Sequence, residues 1–194
     1  MIYAFLNASV FALLLQNLVF GGGFGMSEAI RIATKPREFF PIALLVAYFT
    51  SATAAACSAL DLISEINALS TSLHLGVYCL VLALIYLVST AVIKLFMHDK
   101  ENVHRVGMAA VNTLVLAVPI INRRAAFSAA ESIGLGIGAG IAFIIAVLLI
   151  SEGEDRLKQN ETISNSFRGK PILFIYIAMI SLGFAGLSGQ TLFV

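Results

Sequence analysis

Six long apolar runs, separated by short polar stretches, constrain this chain more than any single motif. They cover roughly residues 3–20, 39–63, 75–97, 106–121, 133–151 and 171–189. Each is near the ~20 residues that a helix needs to cross a hydrocarbon core. A bilayer offers backbone groups no water, so a spanning segment must satisfy its own peptides, as a helix does. Of the 194 residues, 59% are hydrophobic and only 12% are charged, whereas a water-soluble domain of this size needs far more charge to coat its surface. The sequence therefore predicts an all-α polytopic membrane protein, with residues 1–194 forming one integral membrane domain. No loop can hold a soluble domain, and a net charge of +1 excludes a nucleic-acid footprint. The first run has no basic leader and no small-residue cleavage site, so it is expected to be a retained span.

Charge predicts the orientation. The stretches after the first, third and fifth runs carry Arg31, Lys35 and Arg37, then Lys94, Lys100 and Arg105, then Arg156, Lys158, Arg168 and Lys170. The other side has only Arg123 and Arg124, which are expected to meet a partner protein or lipid headgroups. Basic loops stay in the cytoplasm, so both termini are expected to face outward from the inner membrane.

The first run ends in glycine instead of charge: Gly21, Gly22, Gly23, then Phe24 and Gly25. Consecutive glycines unravel a helix, and bare peptides inside a membrane need protein or a wet cavity to cover them. The stretch is either the loop after the first span or a functional break. An echo favours the break. Asn17-Leu18-Val19-Phe20 resembles Asn112-Thr113-Leu114-Val115-Leu116, offset by 95 residues, about half the chain. Three runs per half, an odd number, would turn the halves (about 1–97 and 98–194) upside down relative to each other. Interrupted helices at matching places in inverted repeats point to a midplane site. The candidates are Asn17, Gly21, Gly22, Gly23 and Gly25 in the first break, with Asn112, Thr113 and Pro119 in the second. Each Asn is expected to cap backbone groups freed there.

The stretch Ser166-Phe167-Arg168-Gly169-Lys170-Pro171, followed by ISLGFAGLSG over residues 180–189, resembles the C-terminal signature of the RnfA/NqrE family. The length, the six runs, the outward termini and the two Asn-containing breaks resemble that family too. The resemblance implies a six-helix inverted repeat, with the first and fourth helices broken. It also implies a small integral subunit of an Rnf or Na+-translocating NADH:quinone oxidoreductase complex. Such a subunit pairs with an oppositely oriented homologue (RnfE/NqrD-like) and works beside flavin and iron–sulfur subunits. Family members carry a cysteine at each break and are understood to share a [2Fe–2S] cluster with the homologue. Here the first break reads Gly21 to Gly25 and the second Asn112-Thr113, without a thiol. Iron–sulfur clusters need thiolates, or His in special cases. The expectation is thus a translocase subunit with no catalytic residue, cofactor or metal of its own. A stand-alone carrier of small solutes or cations, or a non-redox assembly subunit, is the alternative on the same shell.

The remaining candidates are weaker. Asp61 and Glu65 are four apart and, on one helical face, could collect a cation; past a span end they are merely solvated. Gly134, Gly136, Gly138 and Gly140 give two interleaved GxxxG pairs, a face for close helix contact within the chain or with a partner. Cys57 and Cys79 lie in apolar runs, where free cysteine behaves as a small hydrophobe. His98 and His104 are expected in a solvated loop, and His74 stands alone at a span boundary.

Overall fold

A computed structural model describes residues 1–15, 17–97 and 100–188. The described chain is helical, without strands. Helix α1 covers Ile2–Val10 and widens into a π-helical segment, Phe11–Leu15. After a turn-rich break come α2 (Met26–Ala33) and α3 (Pro36–Leu60). A one-turn α4 (Ser64–Asn67) precedes α5 (Thr71–Met97). Then follow α6 (Lys100–Ala110), α7 (Thr113–Arg124), α8 (Ala129–Gln159) and α9 (Lys170–Leu187). Among the described residues, five segments are long and apolar enough to cross a membrane: Phe39–Leu60, Thr71–Phe96, Glu101–Arg124, Ala129–Gln159 and Lys170–Leu187. The third of these is α6 and α7 together, interrupted at Val111–Asn112.

The first run departs from expectation. It is no full-length span: its apolar helix, Ile2–Leu14, falls short of the length of the others. Although residues 18–20 are apolar, the Asn17 side chain takes up backbone groups on both sides and the chain leaves the helix there. Nor do the glycines form the loop after a span. Helix α2 restarts directly from Gly25, whose left-handed φ of +75° turns the chain back into a helix. The second break is likewise displaced from Pro119, which lies buried inside an uninterrupted α7. Only one carbonyl loses its donor to that proline, and the real interruption is seven residues earlier, at Asn112.

Helix α8 is the hub, packed against α1, α2, α3, α7, α9 and the π segment. Its glycines serve two neighbours. A Cβ added at Gly134 or Gly138 would lie 2.4 Å from the backbone oxygen of Phe5 or Ser9, so this edge seats α1. The Ser9 hydroxyl lies 2.9 Å from both the Gly134 and the Phe5 carbonyl oxygens and can donate to one of them. A Cβ at Gly136 would sit 2.8 Å from Ala54 Cβ, and one at Gly140 2.7 Å from Ala47 Cα, so the other edge seats α3. Backbones this close gain dispersion contact that larger residues would forbid, which drives helix association where no water is expelled. The pairings also fix direction: α1 runs parallel to α8, and α3 antiparallel to it.

A pattern of exchange emerges. The broken element α1–α2 packs on α8, and the broken element α6–α7 packs on α3. Helices α5 and α9 lie at the periphery, and α5 exposes Leu80, Leu84, Leu87 and Val88.

Candidate functional site

The two breaks meet. Asn17 is 2% exposed and works as a double cap. Its Oδ1 accepts hydrogen bonds from the backbone N–H groups of Val19 and Phe20, each at 3.1 Å. Its Nδ2 donates to the Leu13 carbonyl at 3.2 Å, a group the ending helix leaves free. The turn then tightens, with Gly21 N donating to the Asn17 carbonyl at 2.7 Å and Gly23 N to that of Val19 at 3.0 Å. Gly23 and Gly25 both adopt positive φ, +71° and +75°, where a Cβ is costly. In the second break Asn112 is the N-cap of α7, and its Oδ1 accepts from Leu114 N at 2.9 Å.

The junction lies between Gly25 and the Asn112–Thr113 step. Gly25 N donates to Thr113 Oγ1 at 2.8 Å across 88 residues of sequence. A Cβ at Gly25 would fall 2.8 Å from Asn112 Oδ1 and 3.2 Å from the Phe143 ring. Phe143 is near the middle of α8, so both helices fray at the mid-height of the hub. Asn112 Nδ2 is buried with no partner among the described residues. Beside it, a mainly apolar cavity of about 360 Å³ is lined by Cys79, Tyr86, Val111, Asn112, Thr113 and Leu116, among others. Val111, at the interruption itself, is 87% exposed.

Sequence matching assigns the family. Residues 5–191 match the family model described as Rnf-Nqr subunit, membrane protein. The chain belongs to the Rnf-Nqr family. Among individual relatives, it is 32% identical over 83 residues to one subunit of the proton-translocating ferredoxin:NAD(+) oxidoreductase complex of Clostridium ljungdahlii. It is 29% identical over 85 residues to one subunit of the Na(+)-translocating NADH-quinone reductase of Marinobacter nauticus. It is 30% identical over 81 residues to one subunit of the Na(+)-translocating ferredoxin:NAD(+) oxidoreductase complex of Acetobacterium woodii. These alignments cover 42–44% of this chain and 42% of each relative.

The [2Fe–2S] cluster that the resemblance implies does not fit this Rnf-Nqr junction. Thr113 Oγ1, in the place of the second thiol, is engaged by the Gly25 N–H. At Gly25 the space for even a methyl group is taken by Asn112 and Phe143. What the junction offers is hydroxyl, amide and carbonyl oxygen, which suit hard cations or water and not iron–sulfur chemistry. Cys57 is buried in a small cluster with Tyr78 and Val81, and Cys79 is exposed on α5; both are free thiols. Among the described residues no three His, Cys, Asp or Glu side chains gather into a metal site.

The acidic pair is separated. Helix α3 ends at Leu60, and the turn at 61–63 breaks the four-residue register between Asp61 and Glu65. Glu65 is exposed in α4. Asp61 instead accepts from the Tyr78 hydroxyl at 2.6 Å, lies 2.8 Å from His74 Nε2, and has Arg123 Nη1 at 3.9 Å. This Asp61–His74–Tyr78–Arg123 cluster escaped sequence reasoning. Its one local signal is the i, i+4 spacing of His74 and Tyr78 on α5, which places both rings on one face. Arg124 is exposed beside it. Of the loop histidines, His104 lies exposed on α6, and His98 lies outside the described residues.

Proposed function

We propose that this chain is the integral membrane subunit of an Rnf/Nqr-like ion-translocating electron transport complex. The observation that carries this reading is the Gly25–Thr113 junction of two broken helices in a chain that matches the family over 5–191. In this reading the chain is a six-segment inverted repeat of two three-segment halves. The first half is α1–α2, α3 and α5; the second is α6–α7, α8 and α9. The mutual packing of each broken segment on the second helix of the other half supports that symmetry. The chain pairs with an oppositely oriented homologous protein, next to flavin and iron–sulfur subunits. The thiol-free junction, with Asn17, Gly21 to Gly25, Asn112 and Thr113, contributes ion gating and scaffolding, and electrons pass through partners. Pro119 and Glu65 have no part in it.

Both termini face outward from the inner membrane in this reading. The parallel run of α1 with α8 supports it. That arrangement brings the N-terminus to the same end of the bundle as the 61–70 and 125–128 connections, away from most of the Lys and Arg.

The absence of thiols from the junction favours one second reading, a carrier of a small solute or cation acting alone. Purification of the protein in mild detergent from its native host decides between them. Co-purifying flavin-bearing and NADH- or ferredoxin-oxidising subunits are expected. A chain that purifies alone and moves a cation across liposomes would replace the complex with the carrier.

A further inference from the structure

We propose that the chain binds one anionic phospholipid, by its phosphate, in the cavity between the start of α5 and the end of α7. The cavity measures about 500 Å³. Its polar wall is Thr71, Ser72 and His74 from α5, with Arg123 and Arg124 from α7. Leu75 and Ile120 form its apolar side. Three kinds of group suited to a phosphate therefore converge: two guanidinium ions, two hydroxyls, and the first-turn N–H groups of a 27-residue helix.

One guanidinium is fixed. Arg123 donates through Nη1 to Asn67 Oδ1 at 2.8 Å and through Nη2 to the Asn67 carbonyl at 3.0 Å. Its Nη1 also lies 2.9 Å from His74 Nε2. The other is open: Arg124 makes no hydrogen bond or ion pair among the described residues and stands exposed at the rim. Asp61 supplies one negative charge to this corner, so the two arginines outweigh it.

His74 gives the independent sign of a ligand. The ring is 1% exposed, and its Nδ1 has no partner among the described residues. Nε2 sits between the Asp61 carboxylate at 2.8 Å and the Arg123 guanidinium at 2.9 Å, an acceptor and a donor. Nε2 carries either a hydrogen or a lone pair, so it serves only one of them at a time. When Nε2 accepts from Arg123, the ring's one hydrogen lies on Nδ1, a donor left without a partner among the described residues. A buried polar atom left unpaired is costly, and a phosphate oxygen would pair it.

The surroundings select a lipid over a free ion. Below the polar wall, on the same faces of α5 and α7, lies the mainly apolar cavity lined by Cys79, Leu82, Tyr86 and Leu116, a track for an acyl chain. Thr71 marks the start of a spanning segment, so the phosphate would sit where headgroups sit.

The test uses the full chain in detergent micelles and native mass spectrometry. Phosphatidylglycerol, phosphatidylcholine and inorganic phosphate are added in separate arms. One phosphatidylglycerol should be retained about fivefold or more over phosphatidylcholine, and inorganic phosphate should neither bind nor displace it. Arg124→Gln, which breaks no internal contact, should abolish that preference, and Arg124→Lys should restore part of it. His74→Gln should weaken retention, while Arg156→Gln at the opposite end of the bundle should not. Equal retention of the two lipids, or an unchanged preference in Arg124→Gln, would overturn the proposal. Displacement by inorganic phosphate would overturn the lipid assignment.

Discussion

Replacing Gly25 with alanine probes the junction directly. Its φ of +75° places an alanine in the left-handed region, at a cost of roughly 1–2 kcal/mol. The new Cβ would also lie 2.8 Å from Asn112 Oδ1 and 3.2 Å from Phe143, and forcing a methyl into such a packed position costs ~1–3 kcal/mol more. The total is roughly 2–5 kcal/mol, of the order of a domain's whole stability margin. Gly23 supplies the control. It has φ +71° but nothing within 4 Å of an added Cβ, so Gly23→Ala should lose only the backbone part, roughly 1–2 kcal/mol. The assay is SDS-titrated unfolding in mixed micelles followed by far-UV circular dichroism, since the chain has no Trp. The gap between the two variants measures the contact between the breaks. In an Asn112→Ala background the gap should shrink, because the atom nearest the new methyl is gone. Equal losses in both variants, or an unchanged gap in that background, would refute a junction held by close approach of Gly25 to Asn112.

Thr113→Val keeps the shape of the side chain but strands the Gly25 N–H; a loss of ~1–3 kcal/mol in the same assay is expected, with Thr113→Ser near wild type. Gly138→Val should detach α1 from the hub, since a Cβ there already meets the Ser9 carbonyl at 2.4 Å; faster proteolysis within residues 2–15 and an intact α3–α8 pair would report it. Ser128 and Glu131 form a capping box at the start of α8, so Ser128→Ala should cost ~1 kcal/mol without altering ion transport or turnover. Asn17→Leu and Asn112→Leu should each impair ion transport or turnover while the chain still inserts into membranes; full activity in both would remove the junction from the mechanism.

Legibility in the sequence followed the range of the forces involved. The apolar runs located the long helices, because burial in lipid is read residue by residue, but not all their ends: α8 continues through polar residues to Gln159, past the fifth run, and α6 begins at Lys100, ahead of the fourth. Asn17 and Asn112 were legible as caps, since capping acts over two or three residues. The restart of the helix at Met26 was not. Residues 26–33 mix Ser27, Glu28 and Arg31 with apolar residues, and only the tertiary seat on α8 makes that short amphipathic helix continue a broken element. Pro119 misled because a proline marks a break only where the lost donor is not tolerated, and inside α7 it is. The register between Asp61 and Glu65 failed for a similar reason: it assumed a helix beyond Leu60, whereas Asp61 turns to partners 13, 17 and 62 residues away. Contacts of that range leave no periodic trace, so the His74 cluster was invisible until α3, α5 and α7 were assembled.

The most direct measurement of the junction is a cryo-electron microscopy map of the chain in lipid nanodiscs, enlarged by a bound antibody fragment. The map should show two frayed helices touching, with Gly25 N within hydrogen-bond distance of Thr113 Oγ1 and no metal density between them. A continuous helix through Asn112, breaks lying far apart, or an iron–sulfur cluster bridged to this chain would contradict the account.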